Sequence, residues 1–192
     1  MKFAQVILAV AASALLITGC ARQKDDATKA LTAIETSVAS MREDGMKYAP
    51  VAYEGVQSTL GMLKDSLAKE DYKSVMAGTP ELNKAVDSLK TAIASGKEQF
   101  TAAAAQWGAL SADVPKMVEA IQSRVDILSS SKKLPKNVSK DALETAKSGL
   151  EWMKSTWADA TAAATDKPSE AVEKANAVKA KGAEVLAALG MA

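Results

Sequence analysis

A single cysteine, Cys20, and the complete absence of histidine frame the chemistry open to this chain of 192 residues. Without histidine, the commonest general base, the usual haem ligand and the imidazole of most zinc and di-iron sites are missing. Asp, Glu, Lys and Tyr remain as acids and bases. The acids are dispersed among lysines, and neither a D-x-[DN]-x-[DN]-G calcium loop nor a glycine-rich phosphate loop occurs. No metal, nucleotide or other cofactor is expected.

Two further groupings have spacing that invites chemistry. Ser66-Leu67-Ala68-Lys69 sets a hydroxyl and an amine one helical turn apart, the S-x-x-K spacing of Ser-Lys acyl transfer, and Lys147-Ser148-Gly149 matches its later K-[ST]-G element. That reaction needs a lysine kept neutral and an oxyanion environment carried on a strand. The intermediate S-x-N element is missing and no strand is read, so polar helix surface is the expectation, and a hydrolytic enzyme would need Ser, Lys and carboxylates to converge elsewhere. Lys132, Lys133, Lys136 and Lys140 crowd a proline loop, KKLPKNVSK, able to meet lipid phosphates or an acidic partner. No aromatic residue interleaves with them, so the expectation is a solvated loop and no nucleic-acid partner.

Cys20 closes an apolar run. After Met1-Lys2 the chain is apolar from Phe3 to Ile17, interrupted only by Gln5 and Ser13, which is the profile of a secretory signal. A membrane-spanning helix needs ~20 apolar residues, and this run ends in Thr18 and Gly19 without a basic stop. Ile17-Thr18-Gly19-Cys20 resembles the lipobox of bacterial lipoproteins. The resemblance implies cleavage between Gly19 and Cys20, a diacylglyceryl thioether on Cys20, and a further acyl chain such as palmitate on the new amino terminus. Two or three chains make an anchor stable where one is marginal. In enterobacterial lipoproteins Asp after the lipidated cysteine retains the protein in the inner membrane; Ala21 stands here, implying the outer membrane and its periplasmic face. The tether of residues 20–24 reaches only about 15–20 Å even when extended.

With residues 1–19 removed, one of the 24 Lys and Arg residues is lost and the mature chain balances its 23 acids. An acylated Cys20 leaves no thiol for a disulfide, so packing alone must hold an exported fold. The apolar fraction of 48% leans on Ala and aromatic content is 4%, which suits helices in close contact better than a sheet.

Helical spacing supplies the elements. Leu31, Ile34, Val38 and Met41 stripe a first helix from Asp25 or Asp26 to before Gly45; Val56, Leu60, Leu63 and Leu67 stripe a second after Pro50. A short piece from Asp71 to Ala77 is expected to break or kink at Gly78. Thr79-Pro80-Glu81 then reads as a cap opening a helix through Leu82, Val86, Leu89, Ile93, Phe100 and Trp107. Val118, Ile121, Val125 and Leu128 predict a helix from near Pro115, Leu143, Leu150, Met153 and Trp157 one from near Ser139, and Val172, Val185, Leu186 and Leu189 one from Pro168 to Gly190. The expected fold is all-α, an antiparallel bundle of about six helices.

EGVQSTLGMLK at 54–64 and ETAKSGLEWMK at 144–154 share Glu, Ser, Leu and Lys in register, and Lys84-Ala85 match Lys174-Ala175. Two duplicated three-helix units, 25–110 and 113–190, are one reading; chance likeness of Ala- and Lys-rich helices is the other. Trp152 lies about 135° from its helix's main stripe, and Met62 is similarly placed. Both helices would carry a second apolar face. The expectation is that these faces pack the units together and bury Trp152; the alternative is an exposed contact for a protein or lipid.

Tyr48-Ala49-Pro50, a helix, then Glu70-Asp71-Tyr72 and another helix is similar to the helical hairpin of uncharacterised proteobacterial lipoproteins, whose pattern has Gly where Glu70 stands. RVDILSSSKKLPKNV and AKSGLEWMKSTW also look like bacterial lipoproteins. The resemblance implies an envelope location and a helical fold, and brings no activity. The sequence is therefore read as a lipid-anchored structural or protein-interaction module of the cell envelope, not an enzyme, with a membrane contact through its anchor and an envelope protein as partner. A periplasmic carrier of lipid or a small molecule, with an apolar site between the units, is the alternative.

Overall fold

The computed structural model describes residues 22–191. The signal segment, Gly19 and Cys20 lie outside them. The described residues form six helices and no strand: α1 at 22–40, α2 (Arg42–Tyr48), α3 (Pro50–Ala68), α4 (Tyr72–Ser130), α5 (Lys140–Ala163) and α6 (Pro168–Ala188). They gather into two compact units, one ending at Lys97 and one starting at Glu98, with α4 contributing to both.

In the first unit α1, α3 and the start of α4 pack their apolar stripes together. Leu31, Ile34 and Val38 meet Tyr53, Val56 and Leu60, and Val75, Leu82, Val86 and Leu89 complete the core. The helices run antiparallel: Lys64 pairs with Glu35 at 2.8 Å, the Tyr48 backbone lies against Gly96, and Leu63 lies against Gly78. No polar or charged side chain is buried among the described residues, so burial of apolar area drives this packing.

Local chemistry sets the ends of α3. Pro50 occupies its first turn, where a missing N–H costs nothing. At its end the Asp71 N–H donates to the Ser66 carbonyl at 2.9 Å and the Glu70 N–H to that of Leu67 at 3.0 Å, a Schellman closure. Glu70 occupies the left-handed position at φ 60°. Glycine adopts that conformation without strain, whereas the Glu70 side chain makes it costly. Asp71 then caps α4, accepting from the Ser74 N–H at 3.1 Å. The hydrogen bonds from Ser74, side chain and backbone, hold its carboxyl below the ordinary value, with a smaller contribution from Lys73.

Two expected helix boundaries are absent. Thr79 does not cap a helix; its hydroxyl donates to the Val75 carbonyl at 2.8 Å inside α4. The chain has already turned at residues 69–71, and Val75 and Leu82 on either side of Pro80 are both fully buried, so packing outweighs the hydrogen bond that proline removes. Nor does a helix begin near Pro115: α4 continues through Gly108 and Pro115 to Ser130, with Val114 and Ile121 buried about the second proline. The expected interval at 111–112 thus lies inside a helix, and the units divide between Lys97 and Glu98. The seven-residue α2 is a further difference, since it runs through Gly45, before which the first helix is expected to end.

In the second unit the end of α4, α5 and α6 bury Val114, Ile121, Val125, Leu128, Leu143, Leu150, Met153, Val178, Val185 and Leu189. Ser139 caps α5, accepting from the Ala142 N–H at 3.0 Å, and Pro168 opens α6. The end of α6 repeats the Schellman closure of α3: Met191 N–H to Leu186 carbonyl at 2.9 Å, Gly190 N–H to Ala187 carbonyl at 3.0 Å, Gly190 at φ 69°. Trp107 and Trp157 stack with centroids 5.1 Å apart and planes at 18°.

Buried positions recur between the units. Leu31 and Ile121, Val38 and Leu128, Tyr53 and Leu143, Val56 and Ala146, Leu60 and Leu150 are all buried, each pair at the offset of the shared sequence motifs. The helix ends recur too. α1 stops at residue 40 and α4 at Ser130; α3 starts at Pro50 and α5 at Lys140.

Candidate functional site

The segment joining α4 to α5 turns without helix through residues 131–139, anchored by buried Val138. Beside it is an open pocket of 560 Å³. Leu128, Leu134, Val138 and Leu143 give its walls an apolar lining, while Lys132, Lys133, Lys140 and Lys147 also line it. Three of the four lysines read as a run from the sequence are thus brought to one pocket, and Lys136 stands in the same turn without lining it. In the sequence Lys147 belongs to the separate Lys147-Ser148-Gly149 triplet. Its spacing from Lys140, two turns along α5, carried the signal that both share a face. Lys147 pairs with Glu144 at 2.8 Å, whereas Lys132, Lys133 and Lys140 have no ion-pair partner among the described residues.

A second concavity lies along α5 and α6. Ala146, Gly149, Val185 and Ala188 give it an apolar lining; Trp152, Thr145, Ser148 and the Lys181–Glu184 pair complete a groove of 310 Å³. A Cβ on Gly149 would stand 2.8 Å from Val185 Cγ2, so glycine lets the two helices approach here. Trp152 is 44% exposed and Met62 59% exposed, which corrects the expectation of a substantially buried Trp152. A helix side about 135° from the buried stripe needs another element to cover it, and Trp152 is left as one side of an open groove.

The remaining candidates are dispersed. The Ser66 hydroxyl donates to the Met62 carbonyl at 3.2 Å, and the Lys147 of the K-S-G triplet is held by Glu144. Glu170 is held below the ordinary carboxylate value by its hydrogen bond with Lys174, then by the charges of Lys174 and Lys167, an arrangement on the α6 surface. Among the described residues no cluster of Cys, Asp and Glu could hold a metal ion, and no helix is long and apolar enough to cross a membrane.

The chain matches no protein-family model, no curated protein and no solved structure.

Proposed function

We propose that this chain is a lipoprotein of the bacterial cell envelope, anchored through acylated Cys20 at the periplasmic face of the outer membrane, and that it acts as a protein-interaction module. The anchor rests on the signal profile and lipobox. The single structural observation that supports the interaction role is the groove of α5 and α6 with Trp152 left open to solvent. Tryptophan at the edge of an apolar groove is the kind of anchor on which protein contacts concentrate their energy. The occupant that fits is an apolar helix face of an envelope protein, since a groove between two helices accepts a third by side-chain interdigitation.

Native mass spectrometry of the protein extracted gently from its own membranes tests both parts. A mass beginning at acylated Cys20, with a protein partner that Trp152→Ala releases, is expected. An unacylated chain overturns the anchor. A co-purifying small apolar molecule in place of a protein overturns the interaction role in favour of a carrier.

A further inference from the structure

The lysines at the α4–α5 closure are a charge concentration that the fold does not require. Between Asp126 and Asp141 the chain has four lysines and no acid. The first unit closes its bundle at the corresponding place, residues 41–49, with balanced charge: Arg42 and Lys47 against Glu43 and Asp44, the last paired with Lys97 at 2.7 Å. Closure therefore works without excess charge. Where like charges cluster without partners, their repulsion is a cost that an anionic ligand would relieve.

The surroundings of the lysines narrow the ligand. The pocket that Lys132, Lys133, Lys140 and Lys147 line has apolar walls from Leu128, Leu134, Val138 and Leu143; Glu144 lines it too and neutralises Lys147, so the excess charge comes from Lys132, Lys133 and Lys140. Nearby, Ile127 is 56% exposed on the last turn of α4, where its carbonyl accepts from the Ser131 hydroxyl at 2.7 Å. Met191 is 45% exposed, directly after Gly190, whose backbone lies against the Asn137 side chain of the same turn. A free anion uses the ammonium groups alone. An anionic lipid surface uses both parts, phosphate against lysine and the interfacial region against Ile127 and Met191.

We propose that this closure is a docking site for an anionic phospholipid surface, with a headgroup phosphate taken into the pocket by Lys132, Lys133 and Lys140. It is a lipid contact separate from any acyl anchor, made by the second unit.

Amine-acetylation footprinting of the full chain reads the site directly. Labelling rates at Lys132, Lys133 and Lys140 are compared with those at Lys29, Lys84 and Lys179, in the presence of phosphatidylcholine vesicles, vesicles containing phosphatidylglycerol, or inorganic phosphate. An acyl anchor attaches the chain to both kinds of vesicle, so its presence or failure does not mimic the result. Phosphatidylglycerol is expected to slow labelling about fivefold at the three closure lysines alone, an effect lost at high salt and weakened in Ile127→Asp. Equal slowing by inorganic phosphate would make the pocket a free-anion site and overturn the lipid assignment. Slowing spread over all six lysines, or none at the closure, would overturn the site.

Discussion

The two bundle closures, residues 41–49 and 131–139, solve one problem with different chemistry. Both span the same length between a helix that ends and a helix that begins, and both bury a residue just before the second helix, Ala49 in one and Val138 in the other. The first fills the gap with α2 and ties it to α4 through the Asp44–Lys97 pair; Lys47 and Lys97 also stand 5.2 and 5.5 Å from the centre of the Tyr48 ring. The second leaves the backbone unwound and its lysines unpaired. A bundle end thus demands an apolar plug and little else, and the rest of the segment can diverge toward a task.

Matched substitutions in the two cores test how deep the correspondence goes. Leu60→Ala and Leu150→Ala, at equivalent buried positions, are each expected to lose about 2–5 kcal/mol in urea unfolding. A cost in one unit less than half that in the other would break the equivalence. Gly96→Ala probes what is peculiar to the first closure. A Cβ there meets the Tyr48 carbonyl, which is backbone and cannot step aside, so a loss of about 1–3 kcal/mol is expected.

The two Schellman closures sharpen the comparison, because Glu70 and Gly190 share one conformation with different residues. Glu70→Gly is expected to gain up to about 1 kcal/mol in thermal unfolding, strain relief partly offset by a more flexible unfolded chain. Gly190→Ala is expected to destabilise, through the same strain and through contact with Asn137.

The smallest effect is electrostatic. The Asp71 carboxyl is lowered in the folded state, so its contribution is present above the ordinary value of 3.8 and is lost as pH falls through the lower folded value. The stability difference between wild type and Asp71→Asn should therefore be present at neutral pH and shrink on acidification below that range; a difference unchanged by acid would remove Asp71's charge as the cause.

Much of this fold was legible because local signals and the apolar period agreed. Pro50, Ser139 and Pro168 start helices at the expected places, and the stripes of α1, α3, α5 and the end of α4 face the cores, most of their residues buried and Met41, Leu63, Leu67, Val118 and Trp157 partly so. Pro80 and Pro115 misled because each is a strong local breaker overruled by buried neighbours that lie distant in sequence or on the same helix. α2 was hidden by its brevity: seven residues around Gly45 carry too little periodicity to register. The lysine run was visible, but its union with Lys147 and an apolar lining depends on how the 131–139 turn folds back on α5. Trp152 lies off the stripe as its spacing requires, but its exposure depends on whether another element covers that face, which helical spacing does not encode.

Tyrosine and tryptophan divide between the units without overlap. Tyr48, Tyr53 and Tyr72 all belong to the first, and Trp107, Trp152 and Trp157, two of them stacked, all belong to the second. The molecule is therefore labelled by its own composition: indole emission excited beyond the phenol band reports the second unit alone, so denaturation of that half can be timed against the loss of helical ellipticity in the whole chain without introducing a dye.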